Sequence, residues 1–178
     1  MSKLEQRLSQ YAAYHLDHKN ILTHFIGIPL IVFAIVCLTA RASFIWSGME
    51  LTLALVLTVL SIIYYVNLDR IFGVILSLVL VTFYLLALSI AHLDVSLWLS
   101  LSIGIFVLGW GFQFVGHFYE QKKPAFLDDL MGLIIGPLFV LAEIAFMFGF
   151  RKDVEQRILA NARVLRAEMD AQSIHVRS

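Results

Sequence analysis

The sequence predicts an all-α, integral membrane helical bundle that begins with an amphipathic helix. The chain of 178 residues is 60% hydrophobic and only 15% charged. Its mean hydropathy is +0.85, whereas soluble domains are only about 45–50% apolar. Apolar segments recur along the chain, at lengths close to the roughly 20 residues that cross hydrocarbon. Short polar connections separate these segments, so residues 1–178 are expected to form a single membrane domain.

The individual elements follow from hydropathy and helical periodicity. Ser2 and Glu5 form a capping-box pattern, and apolar and imidazole side chains then recur at spacings of three and four, which predicts one amphipathic helix over 2–20. Asn20 is expected to cap the helix that follows. The predicted apolar segments are 21–40, 51–66, 71–91, 95–116 and 130–150, and residues 151–178 are predicted to form a charged C-terminal helix.

Basic residues in the short flanks predict a cytoplasmic N-terminus. They precede the first segment, lie in the second and fourth connections, and follow the fifth segment: Lys3, Arg7, Lys19, Arg70, Lys122, Lys123, Arg151, Lys152 and Arg157. Five full crossings would place the basic tail outside. One segment with an internal proline, Pro29 or Pro137, is therefore expected to be re-entrant or shallow, which leaves four complete crossings.

Charge and cysteine content exclude several classes of function. The formal net charge is zero, so nothing indicates a nucleic-acid partner. The single cysteine, Cys37, lies within an apolar segment and is expected to be a core residue. A disulfide framework and a zinc–cysteine site are therefore unsupported. The sequence gives no indication of oligomeric state.

Four histidines are expected at one membrane depth on the cytoplasmic side. His15, His18 and His24 lie at the start of the first apolar segment, and His117 lies at the corresponding end of the fourth. Imidazole is the commonest metal ligand in proteins. We therefore predict a metal centre with these four histidines as candidate ligands. The residues alone leave iron(II), zinc and copper open.

Polar and small residues near the histidines are expected to support this centre. Gln113, His117 and Glu120 share one helical face, because they are spaced by four and three. Glu143 lies in the middle of an apolar segment, where a carboxylate is costly unless it is partnered or neutral, so it is a functional candidate. The candidate supporting or substrate-contacting residues are Asn20, Gln113, Tyr14 and Glu143. The glycines expected to let other helices approach are Gly109, Gly111 and Gly116.

Two further classes of function remain open from these residues. Paired histidines on facing membrane helices also hold b-type haem, which would make the chain an electron-transfer protein. Alternatively, Glu143 and the histidines could relay protons in a lipid or proton-coupled transport protein. The few apolar segments and the lack of an evident inverted repeat argue against a secondary transporter.

Several long motifs resemble the Mpo1-like family of small multi-spanning membrane proteins, also known as a domain of unknown function. These motifs are "YAAYH", Asn20, "THFIGIPL", "QFVGHFYEQKKPAFLDDL" and "GPLFVLAE", and the likeness runs from about residue 4 to residue 150. The resemblance implies an iron(II)-dependent dioxygenase that takes 2-hydroxy fatty acids through α-oxidation to the acid one carbon shorter. The implied partners are this lipid-like acid, dioxygen and the membrane.

The resemblance also implies roles for individual residues. His15 and His24 correspond to the histidines of the first motif and His117 to that of the second, while His18 stands where family members commonly carry proline. Together with Glu120, the three matching histidines are the expected catalytic residues. Further motif positions are matched by Asn20, Gln113, Pro124 and Glu143. A 2-hydroxy acid carries a carboxylate and a neighbouring hydroxyl, two hard oxygens that would suit ferrous iron.

Overall fold

The computed structural model of the chain describes residues 1–122 and 131–175, with side chains up to residue 172. Lys123 and Pro124, which the sequence analysis singled out, lie outside these residues. The described elements are helices α1 Lys3–Ala12 and α2 His18–Ala40, strands β1 Ser43–Trp46 and β2 Met49–Thr52, and helices α3 Leu53–Leu68, α4 Arg70–Ala91, α5 Val95–Glu120, α6 Met131–Met147 and α7 Lys152–His175.

The predicted all-α membrane fold is confirmed. Within the described residues, three helices are both long and apolar enough to cross a membrane, namely α2, α4 and α5. Two further apolar helices, α3 with 16 residues and α6 with 17, are shorter. Pro29 lies inside α2 and Pro137 inside α6, and both helices continue through their proline. The number of complete crossings and the cytoplasmic N-terminus stay predictions.

The N-terminal helix is shorter than predicted. The expected capping box is present, with Ser2 and Glu5 bonding reciprocally, but α1 ends at Ala12 and does not continue to residue 20. Asp17, rather than Asn20, caps the following helix, because its Oδ1 accepts from the backbone N–H of Lys19 at 2.8 Å and of Asn20 at 3.2 Å. His15 therefore lies in the connection between two helices, where its ring can turn inward.

A β-hairpin, which the sequence analysis did not predict, precedes α3. Strands β1 and β2 pair in antiparallel register, from Ser43 opposite Thr52 to Trp46 opposite Met49. The two turn residues, Ser47 and Gly48, both have positive φ, 51° and 79°, as a two-residue hairpin turn requires. The hairpin displaces the start of the second apolar helix from the predicted residue 51 to Leu53.

Contacts divide the chain into two compact units, and the division passes through α2 and α5. The first unit comprises the described residues of Met1–Leu22 and Val115–Ser178. Within it, α1 packs against α6 and α7, with Leu4 and Leu8 of α1 each 1% exposed. An ion pair joins α1 to α7, because Arg157 Nη2 of α7 lies 2.8 Å from Glu5 Oε1 of α1.

The second unit, Thr23–Phe114, contains the β-hairpin, helices α3 and α4, and most of α2 and α5. Helices α3 and α4 form an extensively packed hairpin. Cys37 is buried, as predicted, among small and apolar side chains contributed by α2, α3 and α4. Helices α2 and α5 approach so closely at Gly27 and Gly109 that a Cβ atom on Gly27 would lie 2.8 Å from the Gly109 carbonyl oxygen. A real Cβ could not occupy that position.

Candidate metal centre

His15 is held in a defined orientation by the turn after α1. Its Nδ1 lies 2.7 Å from the backbone carbonyl oxygen of Tyr11. A carbonyl oxygen only accepts, so Nδ1 carries the proton and Nε2 carries the lone pair that can bind a metal. The Tyr11 ring stacks on the His15 ring, with centroids 4.1 Å apart and planes 7° from parallel. Burial raises the pKa of Tyr11, so the phenol remains neutral at physiological pH.

His117 approaches the same point from the last turn of α5. Its ring centroid lies 5.0 Å from that of His15, with the planes at 62°. This edge-to-face arrangement lets nitrogens of the two rings point toward a common position without the rings overlapping. Phe139 of α6 lies beside the Tyr11–His15 stack, with its ring centroid 4.8 Å from that of Tyr11 and 5.6 Å from that of His15. The His15 and His117 side chains are buried, at 2% and 7% exposure, and the rings of Tyr11 and Phe139 both contact the ring of His15.

His24 completes a group of three histidines. It lies on α2, one helical turn after Asn20, and is fully buried. One ring nitrogen from each of His15, His24 and His117 lies within 4.8 Å of the others. Two nitrogens bound at about 2.1 Å on opposite sides of one metal lie about 4.2 Å apart, so small ring rotations suffice. Three converging buried imidazoles are a donor set that fits a divalent transition metal.

Glu120 connects the chain segments that carry these histidines. Its Oε2 accepts from the backbone N–H of Asp17 at 2.8 Å and from Asn20 Nδ2 at 3.1 Å. Its Oε1 accepts from Arg166 Nη1 of α7 at 2.8 Å, and the Glu120 side chain is only 2% exposed. We call Glu120 and these three donors the carboxylate hub. Both oxygens of the carboxylate are occupied, which favours a positioning role for Glu120 over direct contact with substrate.

The other predicted site residues lie in varied surroundings. His18 is exposed at the start of α2 and lies outside the three-histidine group. Gln113 is buried one turn before His117, with its amide nitrogen against Gly27. Glu143 is half-buried on α6 and is not a member of the group. Of the three glycines, Gly109 makes the expected close helix approach, whereas Gly111 faces open space.

Sequence reasoning missed Arg166 and Gly27. Arg166 is contributed by the charged C-terminal helix and is 46 residues from its partner Glu120, so no periodic pattern connects them. Gly27 lies inside the motif "THFIGIPL", and its spacing of three from His24 was the available signal for a close approach beside a ligand.

A small cavity of about 50 Å³ lies beside the Tyr11–His15 stack. Tyr11 and the predicted site residue Tyr14 are both part of the lining, whereas His15 is not. The half-buried Arg7 supplies a cation on the α1 side of the lining, and α6 supplies apolar atoms. A space of this size can take a small polar group or a few water molecules.

The fold and site together define a class: small helical proteins with apolar helices that could cross a membrane and a buried centre of three histidines. Comparison with known proteins identifies the family. The family model described as "2-hydroxy-palmitic acid dioxygenase Mpo1-like" matches residues 1–148, and the chain belongs to this Mpo1-like family. It is 36% identical over 149 residues to the Saccharomyces cerevisiae protein 2-hydroxy-palmitic acid dioxygenase MPO1, covering 83% of this chain and 82% of the yeast protein. No solved structure matches the chain.

Proposed function

We propose that this protein is an iron(II)-dependent dioxygenase that converts 2-hydroxy fatty acids to fatty acids one carbon shorter. The convergence of His15, His24 and His117 on one buried position carries the proposal. The similarity to a protein named 2-hydroxy-palmitic acid dioxygenase supports the substrate class. With dioxygen, the 2-hydroxy acid would yield the shorter acid, carbon dioxide and water, and this equation balances in carbon, hydrogen and oxygen.

The three imidazoles would hold the iron, and the surrounding residues would keep them in place. Ferrous iron would supply binding of the hydroxy acid's two adjacent oxygens and activation of dioxygen. The Tyr11 carbonyl oxygen sets the tautomer of His15, as outer hydrogen bonds to metal-binding histidines generally do. The buried Phe139 ring, which lies beside the His15 ring, would help to exclude water from that imidazole.

The surroundings of the centre suit an amphiphilic substrate. The apolar helices would place the acyl chain in lipid, while the carboxylate end would reach the buried histidines. Arg7, which lines the small cavity behind Tyr11, would attract the carboxylate as it approaches. We also propose that this end of the bundle lies on the cytoplasmic side of the membrane, as the basic flanking residues predict.

Convergence of three rings favours a compact ion over haem. Two axial imidazoles of a haem have centroids about 6 Å apart across the macrocycle, given metal–nitrogen distances of about 2 Å. The His15 and His117 centroids are 5.0 Å apart, and a third imidazole lies beside them. A flat macrocycle would therefore displace at least one of these rings.

Turnover by the purified full-length protein tests the proposal. The protein would be loaded with iron(II) without oxygen and then supplied with 2-hydroxypalmitate and ¹⁸O₂. We expect pentadecanoate carrying one ¹⁸O atom, detected by mass spectrometry, with consumption of one O₂ per product. Palmitate without the 2-hydroxyl is the matched control substrate and should be unchanged. Failure of the iron-loaded protein to act on 2-hydroxy acids of several chain lengths would refute the proposal, and a Soret band in the purified protein would favour haem instead.

A further inference from the structure

The C-terminal helix places a charged side chain within the site, although this helix lies beyond the part of the chain that matches the family model. The match ends at residue 148, and α7 begins at Lys152. Arg166 of α7 reaches the carboxylate hub, where its side chain is only 16% exposed. We propose that Arg166 is a positioning residue of the three-histidine centre and that it acts through Glu120.

The contacts of Arg166 show how it would position the centre. Its Nη1 donates to Glu120 Oε1 and to the backbone carbonyl oxygen of Ala13, each at 2.8 Å. Ala13 lies two residues before His15, and Glu120 lies three residues after His117 on α5. One nitrogen therefore joins the connection that carries His15 to the helix turn that carries His117. Charge-assisted hydrogen bonds of this kind are among the strongest in proteins.

The carboxylate extends this link to α2. Glu120 Oε2 accepts from the Asp17 backbone and from Asn20, which lies one turn before His24. Arg166 therefore holds Oε1 of the Glu120 carboxylate, while Oε2 of the same carboxylate binds the start of α2. Without the guanidinium, Glu120 would lose its charged partner in a buried position and would be expected to reorient. The effect on the histidines would then be indirect, as for other outer groups of metal sites.

The contact between Arg166 and Glu120 is separate from the other ion pairs that hold α7 in place. Arg157 of the same helix makes its own ion pair with Glu5 at 2.8 Å, about two and a half turns earlier along α7. Asp170 pairs with Lys122 just beyond α5. Helix α7 therefore remains held at other points when Arg166 is replaced. The substitution Arg157→Met provides a matched control, because it removes an α7 ion pair without touching the carboxylate hub.

Metal affinity of full-length protein tests the inference, which rests on the metal centre of the proposed function but not on its substrate. Iron(II) affinity would be measured by chelator competition for wild type, Arg166→Met, Arg166→Lys, Glu120→Gln and the Arg166→Met/Glu120→Gln double variant. The electron paramagnetic resonance spectrum of the nitric oxide adduct would report the geometry around the metal. We expect Arg166→Met to weaken binding about 10-fold or more, Arg166→Lys to restore part of the loss, and Arg157→Met to bind like wild type.

The double variant decides whether Arg166 acts through Glu120. If it does, the double variant binds iron no more weakly than Glu120→Gln alone, whereas independent roles would multiply the two losses. Wild-type affinity and spectrum in Arg166→Met, or equal losses in Arg157→Met, would overturn the inference. If Arg166→Met does not fold, wild-type affinity and spectrum in Glu120→Gln would overturn it, because Arg166 is proposed to act through that carboxylate. Iron binding without turnover would refute the proposed reaction alone, and a wild-type chain that binds no iron would refute both.

Discussion

The carboxylate hub and the contact between Gly27 and Gly109 hold helices together by opposite means. At the hub, one buried carboxylate accepts from three donors that are distant in sequence. At the glycines, the absence of side chains lets α2 and α5 approach. The first arrangement is therefore sensitive to removal of a group and the second to addition of one. A buried charge that loses its partner costs about 3–5 kcal/mol, and an overfilled helix contact costs about 1–3 kcal/mol.

The largest effect is expected from removing a histidine. His117→Ala should lower iron(II) affinity by more than about 100-fold and should abolish turnover. This loss exceeds the roughly 10- to 100-fold loss caused by removing a residue that only hydrogen-bonds to a metal ligand. Metal content per chain, measured by mass spectrometry after dialysis, checks this. The exposed His92, which lies between α4 and α5, gives the matched control His92→Ala with wild-type content. Equal iron in both variants would exclude His117 as a ligand.

The next effect is expected from adding a side chain at the glycine contact. Gly27→Val should lower the free energy of unfolding by at least about 1–3 kcal/mol, because its Cβ would clash with the Gly109 carbonyl oxygen. Thermal unfolding in detergent checks this. The control is Gly111→Val, since nothing lies within 4 Å of a Cβ there. Equal unfolding midpoints for Gly27→Val and Gly111→Val would contradict the close approach of α2 and α5 at Gly27.

A smaller effect is expected at the cavity beside Tyr11. Arg7→Gln should raise KM for a 2-hydroxy acid about fivefold, the effect of losing a roughly 1 kcal/mol interaction at a half-exposed cation. Metal content and kcat should not change, because Arg7 lines the cavity and not the histidine group. Steady-state kinetics check this, with Lys3→Gln on the same helix as control. An unchanged KM would remove Arg7 from the substrate path.

The smallest effect is expected at the ion pair between α1 and α7. Hydrogen bonding from the Ser2 backbone, followed by pairing with Arg157, lowers the pKa of Glu5 below its ordinary value of 4.5. The stabilisation is complete above that value and is lost as pH falls through the lower, folded-state pKa. Glu5→Gln should therefore flatten the decline in unfolding midpoint below about pH 5. The control is Glu168→Gln, at an exposed position of α7, which should leave this pH dependence unchanged. If the unfolding midpoint of Glu5→Gln falls with pH as steeply as that of wild type, the Glu5 carboxylate does not stabilise the fold in this way.

The helices were predictable because they depend on local patterns, and apolar runs near bilayer length indicated α2, α4 and α5. Histidines at corresponding ends of the first and fourth apolar segments indicated His15, His24 and His117, but also His18, which lies outside the three-histidine group. The break after Ala12 was missed because histidines at spacings of three and four continued the helical pattern. Asp17, a good cap just before the apolar run, was the overlooked signal. Arg166 contacts Glu120, which is 46 residues away in the chain, and Arg157 contacts Glu5, which is 152 residues away. Local sequence patterns do not indicate such contacts.

The hydrogen bond from His15 to the Tyr11 carbonyl oxygen has a consequence for mutagenesis. A peptide carbonyl is present whatever residue occupies position 11, so Tyr11→Leu would remove the ring stack and leave the proton on Nδ1. A scan of side chains would therefore never reveal what selects the tautomer of this histidine. Replacing the peptide bond between Tyr11 and Ala12 with an ester, a poorer acceptor, would do so.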